Sequence, residues 1–474
     1  MLPRIIRTTQ SDDNISKAFI LNGDNTTKYS HLSDTEKQYI QEKLAKENEW
    51  ILHKTPILNY FFLSKNDHKP AYYKLELARN AGSKLYDTLK KEKINNIEIT
   101  GGHDPEITLA FLEGLLLSCY TFLKYKKEKL TYSLEEIRLV DDQISEGLLK
   151  ELINIADAVF FARHIINEPL SYLTAECLSR EIEQKGNEAG FSVEVLNKNR
   201  IEALRMGGLL AVNLGSPEPP TFTIAEWKPE HFNNEKPIVL VGKGVVYDTG
   251  GLSLKPTPKS MDYMKSDMAG GAVVAATIFA AALNKLPVHV IGLIPATDNR
   301  PDGNAYVPGD IVTMYDGTTV EIRNTDAEGR LLLADALSYA KQYDPELVID
   351  VATLTGSAEI ITGSHGLVSM GNAQNYLQTL KDIGQQIFER SVEVPLWEEY
   401  AKPLESNIAD LNNLGVREAQ TSIAGKFLEH FTEYPWIHLD IAGVAYLHEK
   451  NTYRPAGGTG TGVRLLYHFL KIFN

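Results

Sequence analysis

Apolar and polar positions follow two rhythms along the chain. Where apolar residues recur every three or four positions, or alanine dominates, the pattern predicts helices. These are Asp34–Lys46, Ala71–Glu92, Glu106–Leu123, Glu151–Ile166, Thr174–Glu188, Ala269–Leu286, Leu331–Tyr343, Tyr376–Ser391 and Ala424–Phe431. Short apolar runs between turn residues predict strands at Ile97–Thr100, Ile137–Val140, Phe191–Leu196, Pro237–Val241, Val288–Ile294, Leu347–Val351 and Trp436–Asp440. Asp310–Ile322 alternates around Asp316-Gly317, a hairpin signal. Thr174 stands where an N-cap hydroxyl belongs. Asn167-Glu168-Pro169 ends the preceding helix, because proline disfavours helical backbone in the residue before it.

Strands alternating with helices predict an α/β fold. The expected core is a mainly parallel sheet covered by helices in a C-terminal domain, with a smaller N-terminal α/β domain. The expected boundaries are an N-terminal domain over 1–150, a linker helix over 151–166 and the C-terminal domain over 167–474. In such sheets ligands bind beyond the carboxyl ends of the strands.

Charge sharpens this division. The chain of 474 residues has a formal charge of −14. Residues 1–150 hold 22 basic and 22 acidic residues, and the remainder holds 26 and 40, so the C-terminal part carries the whole excess. That excess repels nucleic acid phosphates. The basic cluster Lys124–Lys129 reads as a solvated face. The apolar runs fall short of the ~18 residues of a membrane span, and Met1–Arg7 lacks the pattern of a secretory signal. Neither a membrane nor a nucleic acid partner is therefore expected. Only Cys119 and Cys177 are present, too few for a disulfide framework, which suits a cytoplasmic protein.

Polar residues concentrate in four segments: Gly242–Gly251, Ser253–Pro256, Met264–Gly271 and Asn324–Leu331. Asp248 follows a strand through a turn, and Asp267 directly precedes the alanine-rich helix. Asp326 and Glu328, two residues apart, share one side of an extended segment. Four carboxylates at one sheet edge repel one another and raise one another's pKa, and cations relieve that repulsion. Oxygen donors without nearby cysteine or histidine suit hard or borderline divalent ions. Two ions about 3.5–4 Å apart are the usual arrangement for metal-assisted hydrolysis. Lys243, between two glycines, is placed to approach such a site and ligates only as the neutral amine. Lys255 as a cation suits stabilisation of an oxyanion. Arg330 suits bidentate capture of a small planar anion.

Asn324-Thr325-Asp326-Ala327-Glu328-Gly329-Arg330-Leu331 resembles, residue for residue, the signature of the leucyl aminopeptidase (cytosol aminopeptidase) family of dinuclear metallopeptidases. Gly242–Gly251 and Met264–Gly270 match as well. Weaker matches at Asn167–Thr174, Ala352–Gly356 and His438–Gly443 extend the resemblance over most of 160–474. It implies a catalytic metallopeptidase domain over 167–474 that removes the N-terminal amino acid from peptides with a free amino terminus, using two divalent ions per subunit, zinc or manganese. Asp248 and Glu328 would bridge both ions, Asp326 would complete one site, and Lys243 and Asp267 the other. Lys255 would polarise the scissile carbonyl, and Arg330 would anchor a bicarbonate as general base. Leu354 and Gly356 would meet the substrate backbone, with Met264 and Thr353 lining the side-chain pocket. Family members form homohexamers, so a homohexamer is expected.

Two departures stand out. Pro256–Ser266 is one residue longer than usual for the family, which predicts a bulge near Lys255. Gln420-Thr421-Ser422-Ile423 replaces the family's glycine-serine-isoleucine-threonine, which predicts a more polar wall near the substrate. Rival classes lack their motifs. The glycine-rich stretches form no phosphate loop or dinucleotide fingerprint. No glycine-any-serine-any-glycine elbow occurs, and His448-Glu449 lacks a second histidine four residues on. A non-enzymatic homologue would not be expected to keep every ligand and both catalytic groups.

Overall fold

Nine strands build the sheet that organises the second half of the chain: β1 (Ser192–Leu196), β2 (Thr221–Trp227), β3 (Ile238–Gly242), β4 (Gly244–Asp248), β5 (Val290–Asn299), β6 (Leu347–Ala352), β7 (Leu367–Gly371), β8 (Ser391–Glu393) and β9 (Trp436–Asp440). The computed structural model describes residues 2–12, 14–22, 32–46, 50–54, 58–64, 69–102, 104–127 and 132–473. Contacts divide the chain into two compact units. One comprises Met1–Asp157, Gln386–Phe388 and Glu449–Pro455, and the other comprises Ala158–Gln385, Glu389–His448 and Ala456–Asn474.

In the second unit the strand order is β8-β7-β9-β6-β3-β5-β2-β1, with β4 paired to β5 beyond the end of β3. The centre, β9-β6-β3-β5, is parallel throughout, as is β4 against β5. The antiparallel pairs lie outside it, at β7–β9, β5–β2 and β2–β1. This is the mainly parallel α/β sheet that the alternation predicts. The central strands are buried at every position, because helices cover both faces.

Seven helices do most of that covering: α1 (Ala175–Ala189), α2 (Ala269–Leu283), α3 (Gly329–Ala340), α4 (Gly356–Thr362), α5 (Gln374–Ile387), α6 (Gln420–Glu429) and α7 (Val463–Leu470). Ile291 and Leu293 of β5 join the cluster built on Leu331–Leu337 of α3. Gly292 between them faces α2, where a Cβ would lie 2.4 Å from the Ile278 Cδ1, so any larger residue would require that side chain to shift. Helix α2 packs against β3, β5 and β6 and is itself covered by α1 and α7. Being apolar all round, it suits a buried position. The helical run Met261–Leu283 is long and apolar enough to cross a membrane, but 94% of its most apolar window is buried inside the fold.

The first unit is a six-stranded sheet in the order Arg4–Arg7, Glu136–Val140, Asn96–Thr100, Lys17–Asn22, Leu58–Ser64, Trp50–Lys54, antiparallel only at the last pair. Helices Asp34–Lys46, Ala71–Glu92 and Pro105–Ser118 accompany it. Buried Arg79 pairs with Glu113 and Glu76, and the Tyr453 hydroxyl donates to Glu76 at 3.0 Å. Part of the Lys124–Lys129 cluster, including Lys129, lies outside the described residues.

Several boundaries differ from expectation, each for a local reason. The helix expected from Glu151 starts at Glu146, where the Ser145 hydroxyl accepts from the Leu148 N–H. The boundary between the two units falls within this helix, after Asp157. The helix expected to reach Leu123 ends at Ser118, ahead of Tyr120-Thr121-Phe122, whose side chains favour extended backbone. Strand β5 continues through Pro295, a residue that reads as a strand end, because the proline falls at the gap where β3 has ended its pairing at Leu293 and β4 begins at Ala296, while the antiparallel pairing to β2 runs on past it. Helix α5 stops at Ile387 because Phe388 turns left-handed at φ 64°, and Ser391 opens β8.

Asp335 on α3 gives the fold a pH dependence. It is fully buried and accepts hydrogen bonds from Leu209 N and Tyr315 N, both at 2.9 Å. Burial pushes its carboxyl up to about 7 despite these donors. A raised folded pKa contributes stability that is fully present below the unfolded pKa and is lost as pH climbs to about 7. Between pH 8 and pH 5 the urea midpoint of the wild type should therefore rise relative to that of Asp335→Asn, which carries no titrating group there. A gap between the two midpoints that stays constant with pH would refute this linkage.

Candidate metal centre

The centre lies at the carboxyl ends of the parallel strands. Strand β3 ends at Gly242 and β4 opens at Gly244, leaving Lys243 at the break between them. The glycine–lysine–glycine sequence is therefore a junction between two short strands. Along β4, Gly244 and Val245 pair with Ala296 and Thr297, but Asp248 pairs with Asn299. One extra residue on β4 makes this a bulge. Bulges re-aim side chains, and this one sets Asp248 beside Asn299.

Asp267 links the 3-10 turn Met261–Ser266 to α2. It does not cap the helix. Its carboxylate instead accepts from Lys243 Nζ at 2.9 Å and from Thr353 Oγ1 at 2.7 Å. Asn324–Glu328 is not the extended segment expected. It is turned, with Asp326 N donating to Asn324 Oδ1 at 2.8 Å and Glu328 helical at the start of α3. The turn brings both carboxylates to the cluster. Asn413 fixes it, accepting from Arg323 N and donating to Asn324 O, each at 2.8 Å. Thr325 ties it to the glycine loop, donating to Gly250 O at 2.6 Å and accepting from Ser253 N at 2.8 Å.

Lys243 Nζ lies 2.8 Å from Asp267 Oδ2 and 2.9 Å from both Glu328 Oε1 and Thr353 O. Lys255 Nζ, despite the longer segment after it, reaches Asp248 Oδ2 at 2.9 Å and Asp326 Oδ1 at 2.5 Å. One oxygen each of Asp248, Asp326 and Glu328 lie within 4.8 Å of one another. Burial works to strip Lys243 of its proton, but Asp267, Glu328 and Asp248 outweigh it and raise the pKa. Burial and the charge of Asp248 push Asp326 up to about 7. Burial, with Glu328 nearby, raises Asp248, and burial raises Asp267 far more. For Glu328, Lys243 and Lys255 overcome burial and lower the pKa. Four carboxylates thus face two ammonium groups, all buried except the partly exposed Asp326 and Lys255. The surplus of negative charge and the convergent oxygens fit divalent cations.

Arg330 is buried at the start of α3, and burial pulls its pKa down to about 10. Its guanidinium lies 5.8 Å from the Phe427 ring centroid, and Nε finds no hydrogen-bond partner among the described residues. That unpaired donor fits a small anion.

The segment after β6 is held at both ends. Thr353 is tied to Lys243 and Asp267 as above. Asp440, at the end of β9, accepts from Leu354 N at 3.2 Å, Thr355 N at 3.0 Å and Thr355 Oγ1 at 2.8 Å. Met264 is half-buried on the 3-10 turn, and Gly356 is exposed at the start of α4. The structure therefore gathers Lys243, Asp248, Lys255, Asp267, Asp326, Glu328 and Thr353 into one contact network, with Leu354 and Gly356 next to Thr353 in the chain. Thr421 is buried, and its hydroxyl lies 3.0 Å from Thr355 Oγ1 and 2.6 Å from Ser357 Oγ. It braces the Thr353–Ser357 segment, a contact that the expected polar wall does not describe. Sequence reasoning passed over Asn299 and Asn413, whose only signal was a polar residue at the end of a strand or in a loop, and it gave Asp440, within the matching segment His438–Gly443, no role.

Fold and site together define an α/β enzyme with a carboxylate centre fit for divalent cations. The chain belongs to the cytosol aminopeptidase family, whose catalytic domain matches residues 160–467. A probable cytosol aminopeptidase of Chlorobium phaeobacteroides (strain DSM 266 / SMG 266 / 2430) is 44% identical over 383 residues, covering 76% of this chain and 74% of that protein. One from Geobacter sp. (strain M21) is 40% identical over 374 residues, covering 77% and 76%. The solved structure of the bottromycin maturation enzyme BotP in complex with Mn aligns with a TM-score of 0.85 at 28% identity, covering 97% of this chain and 99% of that one. The protein is a metal-dependent aminopeptidase, a hydrolase.

Thr355 should contribute measurably to stability, because its hydroxyl also accepts from Ala358 N at 3.2 Å as the N-cap of α4. Thr355→Val should lower the unfolding free energy by about 1–3 kcal/mol in urea titrations. An unchanged midpoint would mean that Asp440 holds the segment through backbone donors alone.

Proposed function

We propose that the enzyme removes the N-terminal residue of peptides with two divalent ions, zinc or manganese, held by Lys243, Asp248, Asp267, Asp326 and Glu328. Asp248 and Glu328 would serve both ions, Asp326 would complete one site, and Lys243 with Asp267 would complete the other. The observation that carries this reading is the convergence of three carboxylate oxygens within 4.8 Å beside buried Lys243 and partly exposed Lys255. When bound, the ions supply Lewis acidity and an activated water for attack on the first peptide carbonyl.

The chain's own residues supply the rest. Lys243 enters its role only by giving up its proton, which ties loading of the centre to pH. Lys255 bridges Asp248 and Asp326 by charge. Once those carboxylates are taken, its ammonium is free to polarise the scissile carbonyl and steady the developing oxyanion. Arg330 would hold a bicarbonate through its unpaired donor, and that anion would supply a general base at this end of the site. Leu354 and Gly356 align the substrate backbone, while Met264 and Thr353 line the pocket for its first side chain. A free amino terminus is recognised because only that end offers a neutral amine next to Asp267. The two free, buried cysteines suit a cytoplasmic setting, and the family resemblance supports a homohexamer.

The central test is release of leucine from leucyl amide by metal-loaded and chelator-stripped enzyme, with N-acetyl-leucyl amide as control. Turnover of the free amide by loaded enzyme only is expected, and equal turnover of the acetylated compound would reject the aminopeptidase reading. Glu328→Gln and Asp248→Asn should lose bound metal and on the order of 100-fold or more in kcat/KM while keeping the wild-type circular dichroism. Full activity in either variant would overturn the ligand assignment.

A further inference from the structure

Asn299 is the last residue of β5 and is completely buried beside the centre. Its Nδ2 donates to Asp248 Oδ1 at 2.8 Å and to Thr325 O at 3.0 Å. Both neighbours at that end of the amide are acceptors, so the NH2 group and not the carbonyl must face them. The other end, Oδ1, finds no hydrogen-bond partner among the described residues. It packs against Gly251, where a Cβ would come within 2.9 Å and where φ is +63°. The backbone is fixed too, since Thr249 N and Oγ1 donate to Asn299 O at 3.0 and 2.8 Å.

Asp248 Oδ1 receives a second donor, Gly250 N at 2.7 Å. Two donors occupy both lone pairs of that oxygen, so only Oδ2, the atom now facing Lys255, is left for a cation. The same amide holds Thr325 O, the carbonyl next to Asp326, and so links the strand end that carries Asp248 to the loop that carries Asp326. Aspartate at 299 would put a negative oxygen against Asp248, and leucine would fill the space without donating.

We propose that Asn299 is a positioning residue of the metal centre: its amide restricts Asp248 to one ligating oxygen and clamps the Asp326 loop to it. This rests on the ligand assignment proposed above. The test compares full-length wild type, Asn299→Asp and Asn299→Leu, stripped by chelator and titrated with Mn2+ in competition with a metal-sensitive dye. Affinity should fall by about 10–100-fold in both variants, with stripped melting temperatures within about 4 °C of wild type. Excess Mn2+ should then restore much of the lost turnover. Wild-type affinity in a folded variant would overturn the proposal. Should both variants fail to fold, a Mn2+-loaded crystal of the wild type decides. Asp248 Oδ1 lying beyond about 3 Å from every ion supports the proposal, and Oδ1 at ligating distance overturns it. A wild type that takes up no Mn2+ or Zn2+ sinks the ligand assignment itself, a result distinct from equal affinities.

Discussion

Four carboxylates share a largely buried pocket with two ammonium groups, and much of the second unit follows from keeping them there. Isolated buried carboxylates would take up protons. The opposing shifts across the cluster show how the groups share charge: Asp267 is driven strongly upward by burial, while the two lysines draw Glu328 downward. Such a set is stable only when every member is held at a fixed distance from the others. Removing one partner would leave an uncompensated buried charge.

The scaffold meets that demand by placing each charge at the end of a rigid element. Lys243 is at the seam of two strands, Asp248 on a bulge, Asp267 ahead of a buried helix and Glu328 at the start of another. Loops between these ends are stitched mostly by uncharged polar groups, with one further carboxylate, Asp440, holding backbone donors away from the cluster. Thr325 joins the glycine loop to the Asp326 turn, Asn413 holds the turn from outside, and Asp440 with Thr421 braces the segment after β6. Hydrogen bonds by neutral groups suit this task, because they fix position without adding to the local charge.

The helices and central strands were legible because their apolar periodicity is set by two-sided burial. Trp436–Asp440 was read to the residue. The cluster's charged members were legible because acidic and basic residues crowd into four short segments flanked by glycine. What stayed hidden depends on register and hydrogen bonding. The bulge in β4 has no signature in Gly244–Asp248, and Pro295 disguises the continuation of β5 toward Asn299. The extended reading of Asn324–Glu328 failed because an Asn324 side chain turns the backbone, a local bond that a two-residue spacing does not reveal. Thr421 looked like a lining residue because its type is polar; its partners, Thr355 and Ser357, are more than sixty positions away in the chain.

This division between the legible and the hidden has a physical origin. Charged groups announce a centre by composition, since so many of them in a buried segment need an explanation. Their aim is decided by neutral residues whose identity is permissive anywhere else. Asparagine at 299 would be unremarked in most strands. Here it sits opposite Asp248 only because one extra residue in β4 shifts the pairing, and the shift matters only because the amide is there to meet it. Bulge and amide are therefore one device written in two distant stretches of sequence. A carboxylate centre with the same acids and lysines but without that pairing would keep its charge and lose its geometry.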